Sequence, residues 1–188
     1  MPAEPGGILL AIARAAISEA LGSPLPARED LPWLQEPGAC FVTLTQQGTL
    51  RGCIGTLEPY RPLLSDVKAN AVAAALRDPR FAPLEDGELA YTELEVSLLS
   101  AMERMASADE GTALAQLRPG VDGVVFSYGH RRSTFLPQVW EQLPQPEAFM
   151  AHLKRKAGLP PDFWAQGVEL FRYSVNKWRE SDLPPGNI

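Results

Sequence analysis

Between Ala39 and Thr56 the chain alternates apolar and polar residues on both sides of the tripeptide Gln46-Gln47-Gly48. Two alternating runs around a glycine-containing turn predict an antiparallel hairpin. Register then becomes decisive, because a slip of one residue sends every side chain to the other face. A three-residue loop, Gln46-Gln47-Gly48, puts glycine in the left-handed position such loops use. It sets Leu44 opposite Leu50, Val42 opposite Gly52 and Cys40 opposite Ile54, so that one face is apolar or small. The other face carries Phe41, Thr43 and Thr45 against Thr49, Arg51 and Cys53. A two-residue loop at Gln47-Gly48 would set Arg51 beside Leu44 and Thr43 beside Gly52, mixing the faces. The three-residue loop is therefore expected.

The remaining pattern mixes helices and strands. Ile8–Leu21 has Leu10, Ala13, Ile17 and Leu21 on one stripe and stops at Gly22. Ser23–Gly38 is a proline-rich connection with Trp33 and Leu34 as anchors. Pro62–Arg77 reads as a helix with Leu63, Val67, Ala71, Ala74 and Ala75 inward, ended by Asp78-Pro79 because a residue before proline avoids helical geometry. Glu93–Leu99 reads as a strand with Leu94, Val96 and Leu98 on one face and Glu93, Glu95 and Ser97 on the other. Ser107 and Glu110 resemble a capping box opening a helix to Leu117. Val121–Tyr128 and Arg131–Leu136 form a second hairpin around Gly129-His130. Pro146–Ala157 is a helix closed by Gly158, and Val168–Val175 a late strand. Without strict alternation of strand and helix, this predicts an α+β fold, a mainly antiparallel sheet packed with helices.

Composition narrows the function. An apolar share of 45% supports a real core, and a net charge of −6 disfavours bulk attraction to nucleic acid or an anionic membrane. Arg14, Ser18 and Glu19 interrupt the first apolar run, which is too short and polar to cross a bilayer. Met1–Gly7 lacks the basic stretch of a signal peptide. A cytoplasmic protein with reduced thiols is expected. The two histidines lie far apart and both cysteines fall on one hairpin, so no metal-ligand spacing appears and no metal or cofactor is expected. Dinucleotide and nucleotide phosphate-binding glycine motifs, and the serine nucleophile elbow, are all missing.

The residue types that could carry chemistry gather around Cys53. In the expected register Arg51 and Cys53 project from one face, where a guanidinium would favour the thiolate. Gly52 and Gly55 remove side chains beside the thiol, either to admit a ligand or to let backbone pack closely. Cys53 thus reads either as a thiol open to a ligand or as a small buried hydrophobe. Cys40 points to the opposite face, so a disulfide is not expected. Glu95 shares the polar face if its strand joins the hairpin's sheet, and could then pair with Arg51. Arg80, after the helix stop, could reach an anion or simply face solvent. Trp140 reads as a core anchor, His130 as a turn residue, and His152 with Lys154, Arg155 and Lys156 as a solvated face.

The run Leu50-Arg51-Gly52-Cys53-Ile54-Gly55-Thr56 resembles the signature of the AMMECR family, known in bacteria and archaea as AmmeMemoRadiSam system protein A. The resemblance continues through Asp78-Pro79-Arg80-Phe81, Glu95-Val96-Ser97, Gly120-Val121-Asp122-Gly123, Thr134-Phe135-Leu136-Pro137-Gln138-Val139-Trp140 and Lys156-Ala157-Gly158-Leu159, in family order. A single domain of this type is expected over 1–188: the body over 39–180 carries the family-like motifs, while the helix and proline-rich lead-in over 1–38 and the tail over 181–188 flank it, the proline-rich stretch and the tail being particular to this sequence. The resemblance further implies two unequal subdomains with a cleft near Cys53, lined by Arg51, Gly52, Gly55, Asp78, Arg80, Glu95 and Arg132. A Memo-like protein and a radical-SAM protein are the implied partners. The implied role is a ligand- or partner-binding component. The alternative is an enzyme or modification acceptor with Cys53 as the catalytic thiol.

Overall fold

The computed structural model describes residues 5–183. In chain order its elements are helix α1 (Pro5–Ala20), strands β1 (Cys40–Gln46) and β2 (Thr49–Gly55), and helix α2 (Leu63–Leu76). Strands β3 (Glu93–Leu99) and β4 (Glu103–Met105), helix α3 (Glu110–Leu114), and strands β5 (Gly123–Tyr128) and β6 (Arg131–Phe135) follow. Helix α4 (Pro146–Lys156) and strands β7 (Glu169–Tyr173) and β8 (Val175–Arg179) complete the set. Two four-stranded sheets form, ordered β2-β1-β3-β8 and β4-β7-β5-β6, so the fold is α+β. The chain divides into two compact units: residues up to Leu99 together with those from Asn176 onward, and Ser100–Val175. The tail residues 184–188 lie outside the described residues. Among the described residues, no helix is long and apolar enough to cross a membrane.

The first hairpin corrects the expected register. Gln47 and Gly48 both have positive φ, 50° and 77°, which a tight two-residue turn requires. Gln46 accordingly pairs with Thr49 and Thr45 with Leu50. Continued, that register would mix the two faces. Instead it shifts before Leu44, which pairs with Gly52, and Thr43 pairs with Cys53, Val42 with Ile54 and Phe41 with Gly55. Arg51 is the extra residue of a β-bulge. The bulge restores the parity that the hydrophobic pattern demands, at a register two residues away from the expected one. Leu50, expected opposite Leu44, lies opposite Thr45 and is 39% exposed.

In the first unit, Cys40, Val42, Leu44, Leu94, Val96 and Leu98 form the buried sheet face beneath α1 and α2. The buried side of α1 is broader than one stripe and includes Leu9, Leu10, Ile12, Ala13, Ala16 and Ile17. Gly22, at φ 93°, ends it: Gly22 N–H donates to Glu19 and Ser23 N–H to Ser18, the paired closure of a helix on a left-handed residue. Ala71, Ala74 and Ala75 keep the inner side of α2 small and let it lie close to the sheet.

In the second unit, Trp140 is the expected core anchor. It stacks on Phe149 with ring centroids 3.8 Å apart and donates its indole N–H to Asp122 O. The turn around Gly129-His130 is as expected, with Gly129 at φ 59°. Two readings fail here. Asp109, not Ser107, caps α3, accepting from Thr112 N–H, while the Ser107 hydroxyl donates to Val168 O. The expected strand Val168–Val175 is broken at Ser174, and β8 begins beyond it.

Candidate functional site

Strand β1 lies between β2 and β3, and its pairings set out rows across the first sheet. Cys53 lies opposite Thr43, and Thr43 opposite Glu95. Gly55, Phe41 and Ser97 make the next row. With strands about 4.8 Å apart, Cys53 and Glu95 sit roughly 10 Å from one another across Thr43. Cys53 is half-buried, and the Thr43 hydroxyl donates to its Sγ at 3.3 Å. Both cysteines are free, and Cys40 is fully buried on the opposite, helix-covered face, as the parity argument required.

β2 is the outermost strand of its sheet, so the Cys53 main chain turns away from β1 towards an open edge. Asp78 and Arg80 close that edge. Asp78 Oδ2 accepts the Cys53 N–H at 2.9 Å, and Arg80 Nη2 donates to Cys53 O at 3.1 Å. The two side chains also bind each other, Arg80 Nε and Nη2 donating to Asp78 at 2.9 and 2.7 Å. Together they offer one acceptor and one donor to the strand, as a neighbouring strand would. The Arg80 hydrogen bonds, followed by the Cys53 N–H, hold the Asp78 carboxyl well below the usual carboxylate range despite its burial. Proline between them fixes the turn that aims both at β2.

Arg51 does something else. As the extra residue of the bulge it leaves the alternation with Cys53, and bulges commonly re-aim a side chain in this way. Its Nε and Nη2 donate to the two carboxylate oxygens of Glu88 at 3.1 and 3.0 Å, and Nη1 donates to Ala82 O at 2.9 Å. The hydrogen bonds from Arg51, then the Glu85 N–H, pull the Glu88 carboxyl down to about 2. The expected Arg51–Glu95 pair is absent. Glu95 is bound by Arg179 of β8 at 2.7 Å instead.

The glycines serve close packing. A Cβ on Gly52 would collide with the Ala74 carbonyl of α2, and one on Gly55 with the Phe41 ring and Cys40 carbonyl. The space expected for a ligand at these two positions is filled by the protein itself. Arg132 stands on β6 of the second unit, opposite Ser127.

The structure therefore gathers Cys53, Asp78 and Arg80 closely, adds Glu95 two strands away, and directs Arg51 to Glu88. That Thr43 shares a face with Cys53 was legible from parity, but the expected register set Phe41, not Thr43, opposite the thiol. Glu88 and Arg179 carry no local signal, since each is one of many surface charges until the chain folds. A second cluster was also hidden. Fully buried Asp66 accepts from Cys40 N–H at 2.9 Å, the Thr56 hydroxyl at 2.6 Å, Arg61 Nε at 2.8 Å and Asn70 Nδ2 at 3.0 Å. In sequence Asp66 reads as an ordinary acid in a helix's first turn. Burial, then the Asp66 charge, pushes the Cys40 thiol far above its ordinary value, so it stays protonated and inert. Among the described residues, no three His, Cys, Asp or Glu side chains group as a metal site.

Comparison with known proteins agrees with this fold. The chain is 36% identical to Protein MJ0810 of Methanocaldococcus jannaschii, across 98% of this chain and 94% of the relative. It is 37% identical to a protein of Methanothermobacter thermautotrophicus, across 94% and 95% respectively. The crystal structure of the uncharacterized protein PH0010 from Pyrococcus horikoshii superposes with a TM-score of 0.77 at 32% identity, covering 93% of this chain and 91% of that one. The AMMECR1 family model matches residues 10–178. The chain belongs to the AMMECR1 family.

Proposed function

We propose that this protein is a binding component of an AmmeMemoRadiSam-type system rather than a catalyst, and that it meets a Memo-like or radical-SAM partner through the sheet face around Cys53. One observation carries this reading: the charged side chains around Cys53 are already paired with one another. Asp78 is bound by Arg80, Glu88 by Arg51 and Glu95 by Arg179. A general acid or base needs a pKa near the working pH. Asp78 and Glu88 are moved the other way, further into the ionised range. Paired charges on a half-buried polar face fix orientation and select a complementary surface. In this reading Cys53, Arg80 and Glu95 line the surface, while buried Asp78, Gly52, Gly55 and Arg51 hold its strand in place.

The test is a pull-down at micromolar concentration with the Memo-like and radical-SAM proteins encoded by the same organism. The expected result is recovery of at least one partner, weakened by Glu95→Lys. Recovery of neither would sink the reading.

The Thr43 hydroxyl on Cys53 Sγ favours a second reading, in which Cys53 is a thiol nucleophile or a modification acceptor. Iodoacetamide rates measured against pH decide this: a Cys53 that reacts no faster than a free thiol, in wild type and Thr43→Val alike, excludes an activated nucleophile. Partner-dependent activity that survives Cys53→Ser excludes the acceptor role.

A further inference from the structure

The edge of β2 is closed at Cys53 and open three residues earlier, at Leu50. In the tight hairpin, Gln46 and Thr49 form the hydrogen-bonded pair that flanks the turn, so the next residue, Leu50, turns its N–H and C=O away from β1. Cys53, beyond the bulge, is likewise turned outward, as its bonds to Asp78 and Arg80 demonstrate. Among the described residues, nothing corresponding closes the edge at Leu50. An edge strand normally carries a charge, a proline or a cover at such a place; here the side chain is a leucine, 39% exposed.

Beside this opening lies a pocket of about 300 Å³ lined by Gln46, Gln47, Thr49, Leu50, Arg51 and Tyr91. Tyr91 is 62% exposed. The floor is held rigid: Arg51 is fastened to Glu88, and the Gln46 amide donates to Glu88 and to the Thr92 hydroxyl. An unpaired stretch of strand next to a pocket to which Leu50 and Tyr91 contribute apolar surface is the arrangement by which an extended peptide adds to a sheet, its main chain paired and one side chain lodged. Charge narrows the peptide. Acidic and basic residues balance in Ser100–Val175, so the whole net charge of −6 falls on the first unit. The 3-10 turn Asp86–Tyr91 that carries Tyr91 begins with exposed Asp86, preceded by exposed Glu85.

We propose that the open edge of β2 at Leu50 binds an extended, basic peptide segment of a partner protein, which pairs with the Leu50 main chain and places an apolar side chain between Leu50 and Tyr91. The site is separate from the face around Cys53, but the partner it implies rests on the binding reading above.

The test uses the full chain and a set of fluorescein-labelled heptapeptides, each with one central Leu, Ile, Phe or Tyr flanked by lysines, or by glutamates as control. Fluorescence polarisation should show saturable binding of a lysine-flanked member and at least ten-fold weaker binding of its glutamate twin. Leu50→Pro removes the outward N–H without touching the ladder to β1, and Tyr91→Ala opens the pocket. Each should weaken binding at least ten-fold while circular dichroism stays native. N-methylation of the peptide main chain should do the same from the other side. Binding that Leu50→Pro and Tyr91→Ala both leave intact, or no binding above the glutamate controls, overturns the proposal. So does a wild-type dimer that Leu50→Pro dissociates in sedimentation, because the edge then serves a second copy of this chain. Pull-down of the Memo-like or radical-SAM protein with Leu50→Pro separates the two proposals. Partner retained with peptide binding lost means the partner docks elsewhere; peptide binding without either partner overturns only the assignment to that system.

Discussion

Replacing Asp78 with asparagine tests whether the Asp78–Arg80 pair holds the edge of β2 at Cys53. Four donors converge on the carboxylate: the N–H of Cys53 at 2.9 Å and of Arg80 at 3.1 Å, and Arg80 Nε and Nη2 at 2.9 and 2.7 Å. Asparagine keeps one acceptor oxygen and turns a second set of donors towards those it must receive. Asp78 is only 4% exposed, so the mismatch cannot be passed to water, whereas the Arg80 side chain is 53% exposed and rehydrates. The loss should therefore fall at the low end of the range for breaking a buried pair, about 3 kcal/mol. For a chain of this length that lowers Tm by roughly 6–12 °C. Acidification supplies the internal control. The folded carboxyl lies well below its ordinary value, so its contribution is complete above the unfolded-state value near pH 4 and is lost as pH falls towards the folded one. The variant should thus differ most from wild type at neutral pH and converge with it in acid. Thermal melts across pH, with hydrogen exchange at the Cys53 amide, measure both. A loss under about 1 kcal/mol, with that amide still protected, would refute the claim that the pair acts as a surrogate strand.

Other changes probe the neighbouring features. Gly52→Ala drives a methyl into the Ala74 carbonyl, a backbone atom that cannot swing aside, and should cost about 3 kcal/mol in chemical denaturation; Gly87→Ala, where nothing lies within 4 Å, should leave the midpoint nearly unchanged. Glu88→Gln should remove part of the stability that wild type loses between about pH 5 and 2. Bringing the carboxyl to about 2 corresponds to roughly 3 kcal/mol in full, which solvent around this partly exposed pair reduces to about 1–2 kcal/mol, readable in urea melts at pH 7 and pH 3. In native protein at pH 7.5, iodoacetamide should label Cys53 and spare Cys40, as mass spectrometry of peptides will show; equal labelling would contradict the burial of Cys40.

Much of the fold was legible because its elements announce themselves locally. The inner stripe of α2, the alternation of β3 and the turn at Gly129-His130 each follow from spacing that no distant residue alters. What escaped was short or built from distant parts. β4 has three residues, too few for a period to show, and β8 is polar along most of its length because it forms the other edge of the sheet. Ser107 and Glu110 have the spacing of a capping box, yet Asp109 caps the helix: its carboxylate accepts the Thr112 N–H, while the Ser107 hydroxyl is committed to Val168 O.

The hairpin shows why a correct face assignment can coexist with a wrong register. Alternation encodes parity, and parity survives any even shift, so Cys53 lands on the polar face with Thr43 whether the loop has three residues or a two-residue turn is followed by a bulge. The turn itself obeys a different constraint, the twist of the strands, which favours two left-handed residues at Gln47-Gly48. One inserted residue reconciles the two demands, and that residue is Arg51. Its side chain is thereby released from the face of Cys53 and delivered to Glu88, leaving Arg80, from beyond α2, as the arginine hydrogen-bonded at Cys53. Exchanging the roles of two arginines thus required no change in composition or pattern, only a bulge that periodicity cannot register. Deleting Arg51 outright should consequently remove the bulge and leave the face unchanged: Leu50 and Gly52 then follow one another opposite Thr45 and Leu44, and Cys53 stays opposite Thr43 while the bond to Glu88 is lost. Iodoacetamide should then label Cys53 in the folded deletion variant as readily as in wild type, and a variant whose Cys53 is no longer labelled would refute the assignment of Arg51 as the inserted residue.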